Sequence, residues 1–190
     1  MHSRRLPRSH WAGLAYAVLV GLVGAGIVHV AVLLLLPEFS ERDPWSRLAE
    51  HTDVYVMSRI DGTPSADVIH GSADPLFYVN ACRFSLEDGY AHITAPGNVP
   101  FWSVSIYDRT GQNLYSFNDR SSTEGELDVV VVTPAQMIDV RKELPQEFVS
   151  SVFVEADVSE GIAMVRAFVP DESWAPRLAS YMKSMHCSQE

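Results

Sequence analysis

Phe101-Trp102-Ser103-Val104-Ser105-Ile106-Tyr107-Asp108-Arg109-Thr110-Gly111-Gln112-Asn113-Leu114-Tyr115-Ser116-Phe117 decides the fold class. In an extended chain Trp102, Val104 and Ile106 fall on one face. Ser103 and Ser105 fall on the other with Phe101 and Tyr107. That period of two predicts a half-buried strand. Asp108-Arg109-Thr110-Gly111 supplies turn chemistry, with Gly111 free to take positive φ. Leu114 to Phe117 then returns, so residues 101–117 read as a β-hairpin.

Working outward, further strand signals arrive at short intervals, the pattern of a sandwich or barrel-like sheet. Residues 54–60, 76–84 and 90–94 each predict a strand. Residues 127–132 contain four consecutive valines and predict a strand buried on both faces. Thr133-Pro134-Ala135-Gln136 reads as an N-cap, a proline at the first helical position and a capping-box glutamine. A short helix is expected from there to about Leu144, stopped by Pro145. Residues 148–155 and 162–169 predict two strands around a turn at Gly161. Ser173 is expected to cap a last helix to about His186. Its Trp174, Leu178, Met182 and Met185 make one apolar face, expected to pack on the sheet. The expected fold is therefore mainly β: an antiparallel, jelly-roll-like β-sandwich with a short helix and a C-terminal helix. Residues 61–75, rich in Gly, Pro, Ser, Asp and Ala, predict a long loop.

Ahead of this domain, residues 11–36 contain no Asp, Glu, Lys or Arg. A helix of that length rises roughly 39 Å, against a hydrocarbon core of about 30 Å. The run exceeds the hydrophobic stretch of a cleavable signal, and no small-x-small site follows Leu36-Pro37-Glu38, so an uncleaved anchor is expected. Arg4, Arg5 and Arg8 precede it without any acid; Glu38, Glu41 and Asp43 follow it. The positive-inside rule places residues 1–10 in the cytoplasm as a basic tail, residues 11–36 in the bilayer, and the rest outside. Residues 37–52 read as a juxtamembrane neck, with Trp45 as an interfacial anchor, and residues 53–190 as the exported domain. Within the span, Gly13, Ala17, Gly21, Ala25 and His29 recur every four residues. Such a stripe lets helices approach closely, for self-association or for a partner; it is also ordinary membrane-helix composition.

The whole chain of 190 residues carries 14 Lys+Arg and 24 Asp+Glu, a net charge of −10. The first 36 residues hold three arginines and no acid, so the exported part carries −13. This excess of acid argues against nucleic-acid binding, which needs a basic face.

Catalytic motifs are sparse. The seven histidines form no His-x-x-His or Glu-x-x-His pair, so metal-ligand spacing is absent and no cofactor is expected. Gly-x-Ser-x-Gly, Gly-x-Gly-x-x-Gly and phosphate-loop patterns are absent too. The best site candidates surround the hairpin: Tyr107, Asp108, Arg109, Tyr115, Asn118, Asp119 and Arg120. They form either a recognition rim or a self-satisfied turn network. A hydrolase or transferase acting on glycan or lipid through Asp108, Asp119 and Arg120 needs those groups to line one cleft. Carbohydrate binding through Tyr107, Tyr115 and Trp102 needs a coplanar strip, yet alternation puts Trp102 on the face opposite Tyr107. Cys82 and Cys187 are an even pair in an oxidising compartment; they form either a disulfide or two buried thiols.

Three segments carry a family resemblance: Ala81-Cys82-Arg83-Phe84-Ser85-Leu86-Glu87-Asp88-Gly89, Phe101 through Asp108, and Tyr115-Ser116-Phe117-Asn118-Asp119-Arg120. With the pattern Tyr-Asp-x-x-Gly-x-Asn-x-Tyr-x-x-Asn-Asp-Arg from Tyr107 to Arg120, the chain resembles the bacterial domain-of-unknown-function family twelve-fifty-four, in its short membrane-anchored alphaproteobacterial form. The resemblance implies a β-sandwich with few helices in the bacterial envelope; together with the expected anchor and its orientation, that means the inner membrane with the domain in the periplasm. It implies a cysteine-containing terminal helix, which favours pairing Cys187 with Cys82. It implies a second small membrane protein of related fold as partner, and supplies no catalytic residues. Binding to a partner or envelope ligand is the leading expectation.

Overall fold

The computed structural model describes residues 8–35, 43–60, 74, 76–87, 89–122 and 125–190. The chain divides into two compact units, Met1–Glu41 and Arg42–Glu190. The first unit is one helix, α1 (Arg8–Leu35). Its stretch Trp11–Leu35 is long and apolar enough to cross a membrane, and none of it is buried. The glycines of the small-residue stripe, Gly13 and Gly21, have nothing within 4 Å of where a Cβ would stand. Most of the basic tail, Leu36 and the acidic residues Glu38 and Glu41 lie outside the described residues, as does most of the 61–75 loop.

The second unit is a two-sheet sandwich. Its strands are β1 (Ser58–Arg59), β2 (Phe77–Ser85), β3 (Ala91–Ala95), β4 (Trp102–Asp108), β5 (Asn113–Asn118), β6 (Leu127–Val132), β7 (Val152–Glu155), β8 (Glu160–Phe168) and β9 (His186–Gln189). One sheet has the order β1-β2-β8-β4-β5, the other β7-β6-β3-β9, and the chain crosses repeatedly between them. The predicted hairpin is present: Val104 opposes Phe117 and Ser105 opposes Ser116, with a bulge after Ile106. Trp102, Val104 and Ile106 are fully buried and face the other sheet. The valine run is β6, and its two faces meet different clusters. Val129 and Val131 join the inter-sheet core. Val130 and Val132 pack outward against Met137 and Phe148.

Among the described residues the unit also holds three α-helices: α2 (Pro44–Ala49), α3 (Pro134–Lys142) and α4 (Ala175–Lys183). The capping box at Thr133 and Gln136 is formed in both directions. Leu178, Met182 and Met185 pack into the inter-sheet core, and Trp174 lies partly buried against it.

Several expectations are corrected. The strand expected over residues 54–60 shrinks to β1, because Tyr55 turns to φ 63° and breaks the extended chain. Val54 makes only an isolated bridge to Arg83. The segments 148–155 and 162–169 do not form a hairpin. Phe148 ends a 3-10 turn, Gln146–Phe148, and fills the outer face of β6. The strand that follows, β7, pairs parallel to β6, the one departure from antiparallel pairing among the named strands. A parallel pair needs a long crossover, and α3 is its helix. Gly161 lies inside β8, opposite Phe84 and Asp108, rather than at a turn. A Cβ there would stand 2.5 Å from the Phe84 ring and 2.7 Å from the Tyr107 carbonyl. The last helix is capped by Asp171 through a 3-10 turn and stops at Lys183. Cys187 therefore lies on a strand, β9, paired with β3. Its disulfide to Cys82 is formed, with Cα atoms 6.5 Å apart, and it ties the two sheets together.

Trp45 is not a membrane anchor. It is 5% exposed and packs with Leu48, Ile60, Ala81 and Ile162 on the outer face of the β2–β8 pair. The folded unit therefore begins inside the expected neck, at α2.

Candidate functional site

The hairpin residues separate into two ends and a middle. At the turn, Asp108 accepts hydrogen bonds from the Thr110 hydroxyl at 2.7 Å and the Gln112 N–H at 2.8 Å. Gly111 holds φ 90° there, so the carboxylate is committed to closing the turn. Arg109 leaves the hairpin altogether. Its guanidinium pairs with Asp43 at 2.8 Å and with Glu160, tying the cap of α2 to the start of β8. Hydrogen bonds to both carboxylates hold Arg109 above its ordinary pKa. Burial raises the Asp43 carboxyl, but the Ser46 N–H and hydroxyl and then the Arg109 guanidinium outweigh it and hold it below the usual range. Tyr107 packs against the cluster under α2.

At the far end, Asn118 caps a 3-10 turn, Asp119–Ser121, by accepting from the Arg120 N–H at 3.1 Å. Arg120 is exposed. The Oδ1 of Asp119 is buried and meets no hydrogen-bond donor among the described residues. Because Ser103 opposes Asn118, Asp108 lies five residues along β4 from that end, roughly 17 Å at strand rise. Asp108, Asp119 and Arg120 do not line one cleft. The carbohydrate strip is likewise absent. Trp102 is wholly buried and donates its Nε1–H to Gly125 O at 2.8 Å, while Tyr107 lies on the opposite face.

The middle of the hairpin is open. Among the described residues β5 is the outermost strand of its sheet, and Asn113 to Ser116 are exposed. Leu114 is 38% and Tyr115 48% exposed. Tyr115 stacks on Phe117 at 5.8 Å between ring centroids, and Phe117 meets Trp102 at 6.1 Å. An aromatic ladder thus runs from the core out to the sheet edge.

A feature not found in the sequence lies where α4 meets the β3–β4 loop. An open cavity of about 200 Å³ is lined by Asn98, Arg177, Ser180, Tyr181 and Ser184, among others. Arg177 donates to Asn98 O at 3.0 Å and lies over the Trp174 ring. The Tyr181 hydroxyl is buried without a hydrogen-bond partner among the described residues. Burial, then the charges of Glu126 and Asp119, push its phenol far above the ordinary value, so it stays a neutral donor. The sequence signal was a tyrosine on the apolar side of a predicted helix.

A histidine–carboxylate pair beside a serine lies on the other sheet. His92 pairs with Asp128 at 2.9 Å, and Ser188 sits directly opposite His92. The Ser188 hydroxyl turns instead to Glu190 at 3.1 Å. Among the described residues no three His, Cys, Asp or Glu side chains are grouped to hold a metal.

No protein-family model matches the sequence, and no curated protein does. Solved structures do resemble the fold. The VPA0106 protein from Vibrio parahaemolyticus superposes with a TM-score of 0.56 at 12% identity, over 76% of this chain and 32% of that one. An uncharacterised protein from Burkholderia cenocepacia gives 0.46 at 16% identity, over 76% of this chain and 36% of that one. The chain thus spans about a third of the length of each neighbour, and at these identities the likeness concerns fold alone.

Proposed function

We propose that this chain is a single-pass protein of the bacterial inner membrane that presents a periplasmic β-sandwich as a non-enzymatic binding module. On this reading residues 1–10 face the cytoplasm and α1 crosses the bilayer. The family resemblance at Tyr107 to Arg120 and the +3 to −13 charge division support that orientation. The observation that carries the binding role is the uncovered edge of β5, with Leu114 and Tyr115 exposed. An edge strand offers a row of main-chain hydrogen-bonding groups to another chain. The partner is a second chain anchored in the same membrane: either a second copy of this chain or the small protein of related fold that the resemblance implies. Gly13, Ala17, Gly21, Ala25 and His29 would bring the anchors together.

The separation of Asp108 from Asp119 leaves the hydrolase reading without a shared reaction centre. In-cell crosslinking of the full chain, followed by purification in mild detergent, tests the binding role. Crosslinked complexes are expected; a chain recovered solely as a monomer overturns it. Reporter fusions at each end test the orientation.

A further inference from the structure

We infer that β5 is a dimerisation strand, pairing antiparallel with β5 of a second copy and joining two five-stranded sheets into one. The inference rests on the binding role proposed above and names the partner for that edge.

Most of the edge lacks the usual protection. Sheets guard exposed edges with lysine, proline, inward charge, β-bulges or very short strands. At the opposite edge of the same sheet β1 has only two residues, whereas β5 has six. Asn113 to Asn118 contain no charged residue and no proline. The bulge is in β5 itself: Leu114 is the extra residue between Tyr115, opposite Ile106, and Asn113, opposite Tyr107, so it disturbs the turn end of the strand and leaves Tyr115 to Asn118 in regular pairing.

Charge favours a second copy over a foreign chain. The exported part carries −13, so two copies repel almost everywhere. Thr110 through Asn118 hold no Asp, Glu, Lys or Arg. This neutral window lets two acidic domains approach, and it offers nothing to select a basic partner.

The strand is also self-complementary. A two-fold axis perpendicular to the sheet sets residues of equal parity opposite each other, because faces alternate along a strand. Placed through Ser116, the axis sets Ser116 against Ser116 of the second copy, and Tyr115 against Phe117 of the second copy, twice by symmetry. Phe117 opposes the core-facing Val104 and Tyr115 opposes the core-facing Ile106, so both rings lie on the core face. The ladder from Trp102 through Phe117 to Tyr115 would continue across the axis. Placing the axis through Tyr115 instead would set Asn113 against Phe117, a poorer pair. Directly opposed aromatic pairs stabilise a sheet.

Ser116→Cys in the full chain tests this. The native cysteines are both in the disulfide, so the new thiol is unique. Directly opposed residues have Cβ atoms about 4.5–5.5 Å apart, close to disulfide reach. Mild oxidation in cells is expected to give a covalent homodimer. Ile138→Cys, on the exposed side of α3, reports collisions of anchored chains and is expected to stay monomeric. Adding Tyr115→Lys to Ser116→Cys places like charges at the interface and should cut the dimer yield at least tenfold, with the circular dichroism spectrum of the folded sandwich retained. A Ser116→Cys adduct with a different protein overturns the second-copy assignment while leaving the binding role standing. Equal dimer yields from the 116 and 138 variants overturn the strand pairing. A free, maleimide-reactive thiol at 116 in cells overturns the use of this edge, and crosslinking by surface lysines then decides the binding role separately.

Discussion

The guanidinium of Arg83 lies over the ring of Trp45, 4.2 Å from its centroid. It also donates to Thr52 O at 3.1 Å, and burial lowers its pKa. This contact, with the apolar cluster beneath Trp45, holds α2 against β2. Trp45→Ala should cost about 3–5 kcal/mol, as for other buried aromatics, and uncover a charged side chain's apolar stem. Urea unfolding of the detergent-solubilised protein measures it. A loss below about 1 kcal/mol would return Trp45 to a peripheral role.

Asp43 both caps α2 and pairs with Arg109. Its pKa lies below the ordinary carboxylate value of 3.8. Its contribution is therefore complete above about pH 4 and fades as pH falls through the folded-state value. Asp43→Asn should destabilise near pH 7 by about 1 kcal/mol, since Asn still caps but cannot pair with the half-exposed Arg109. Melting curves of both proteins from pH 7 downward should keep a constant separation to about pH 4 and draw together below it. A difference that stays constant below about pH 4 would separate Asp43 from the pairing.

Reduction of the disulfide should be felt by the whole sandwich. Cys82 and Cys187 are 105 residues apart in sequence. Closing so long a loop is worth about 4–5 kcal/mol in the chain-entropy treatment, and typical bridges give about 2–4. Cys82→Ala with Cys187→Ala should lower Tm on the order of 10 °C. Scanning calorimetry with and without reductant checks it, and the double variant should no longer respond to reductant.

Gly161 is required by its neighbours rather than by its backbone angle. Gly161→Ala would press a Cβ onto the Phe84 ring and the Tyr107 carbonyl, beside the hairpin's turn. The expected cost is about 1–3 kcal/mol, the range for overpacked cores. Phe84→Leu should recover part of it when combined. Additive losses in the double variant would show that the two sites do not touch.

Thr133→Ala removes one half of the capping box of α3. It should cost about 1 kcal/mol. Because α3 is the crossover between parallel strands, hydrogen exchange should rise first in β7.

What followed from the sequence alone was whatever depends on near neighbours. The apolar run of α1, the alternation of β4, the turn at Gly111, the valine strand and the capping box are all encoded within a few residues. Local stereochemistry and side-chain periodicity determine them wherever they sit in a fold. The candidate site was readable only as a segment. Tyr107 to Arg120 marked the hairpin, but not that Asp108 closes a turn, that Arg109 reaches away to Asp43 and Glu160, or that the open edge lies between them. Those outcomes depend on groups far apart along the chain. The same is true of Trp45 packing under Arg83, of β7 running parallel to β6, and of Cys187 lying on a strand. A short polar or apolar stretch has several acceptable local conformations. Its partner across the sheet selects one, because burying its side chains and pairing its backbone there outweighs the weak local preference.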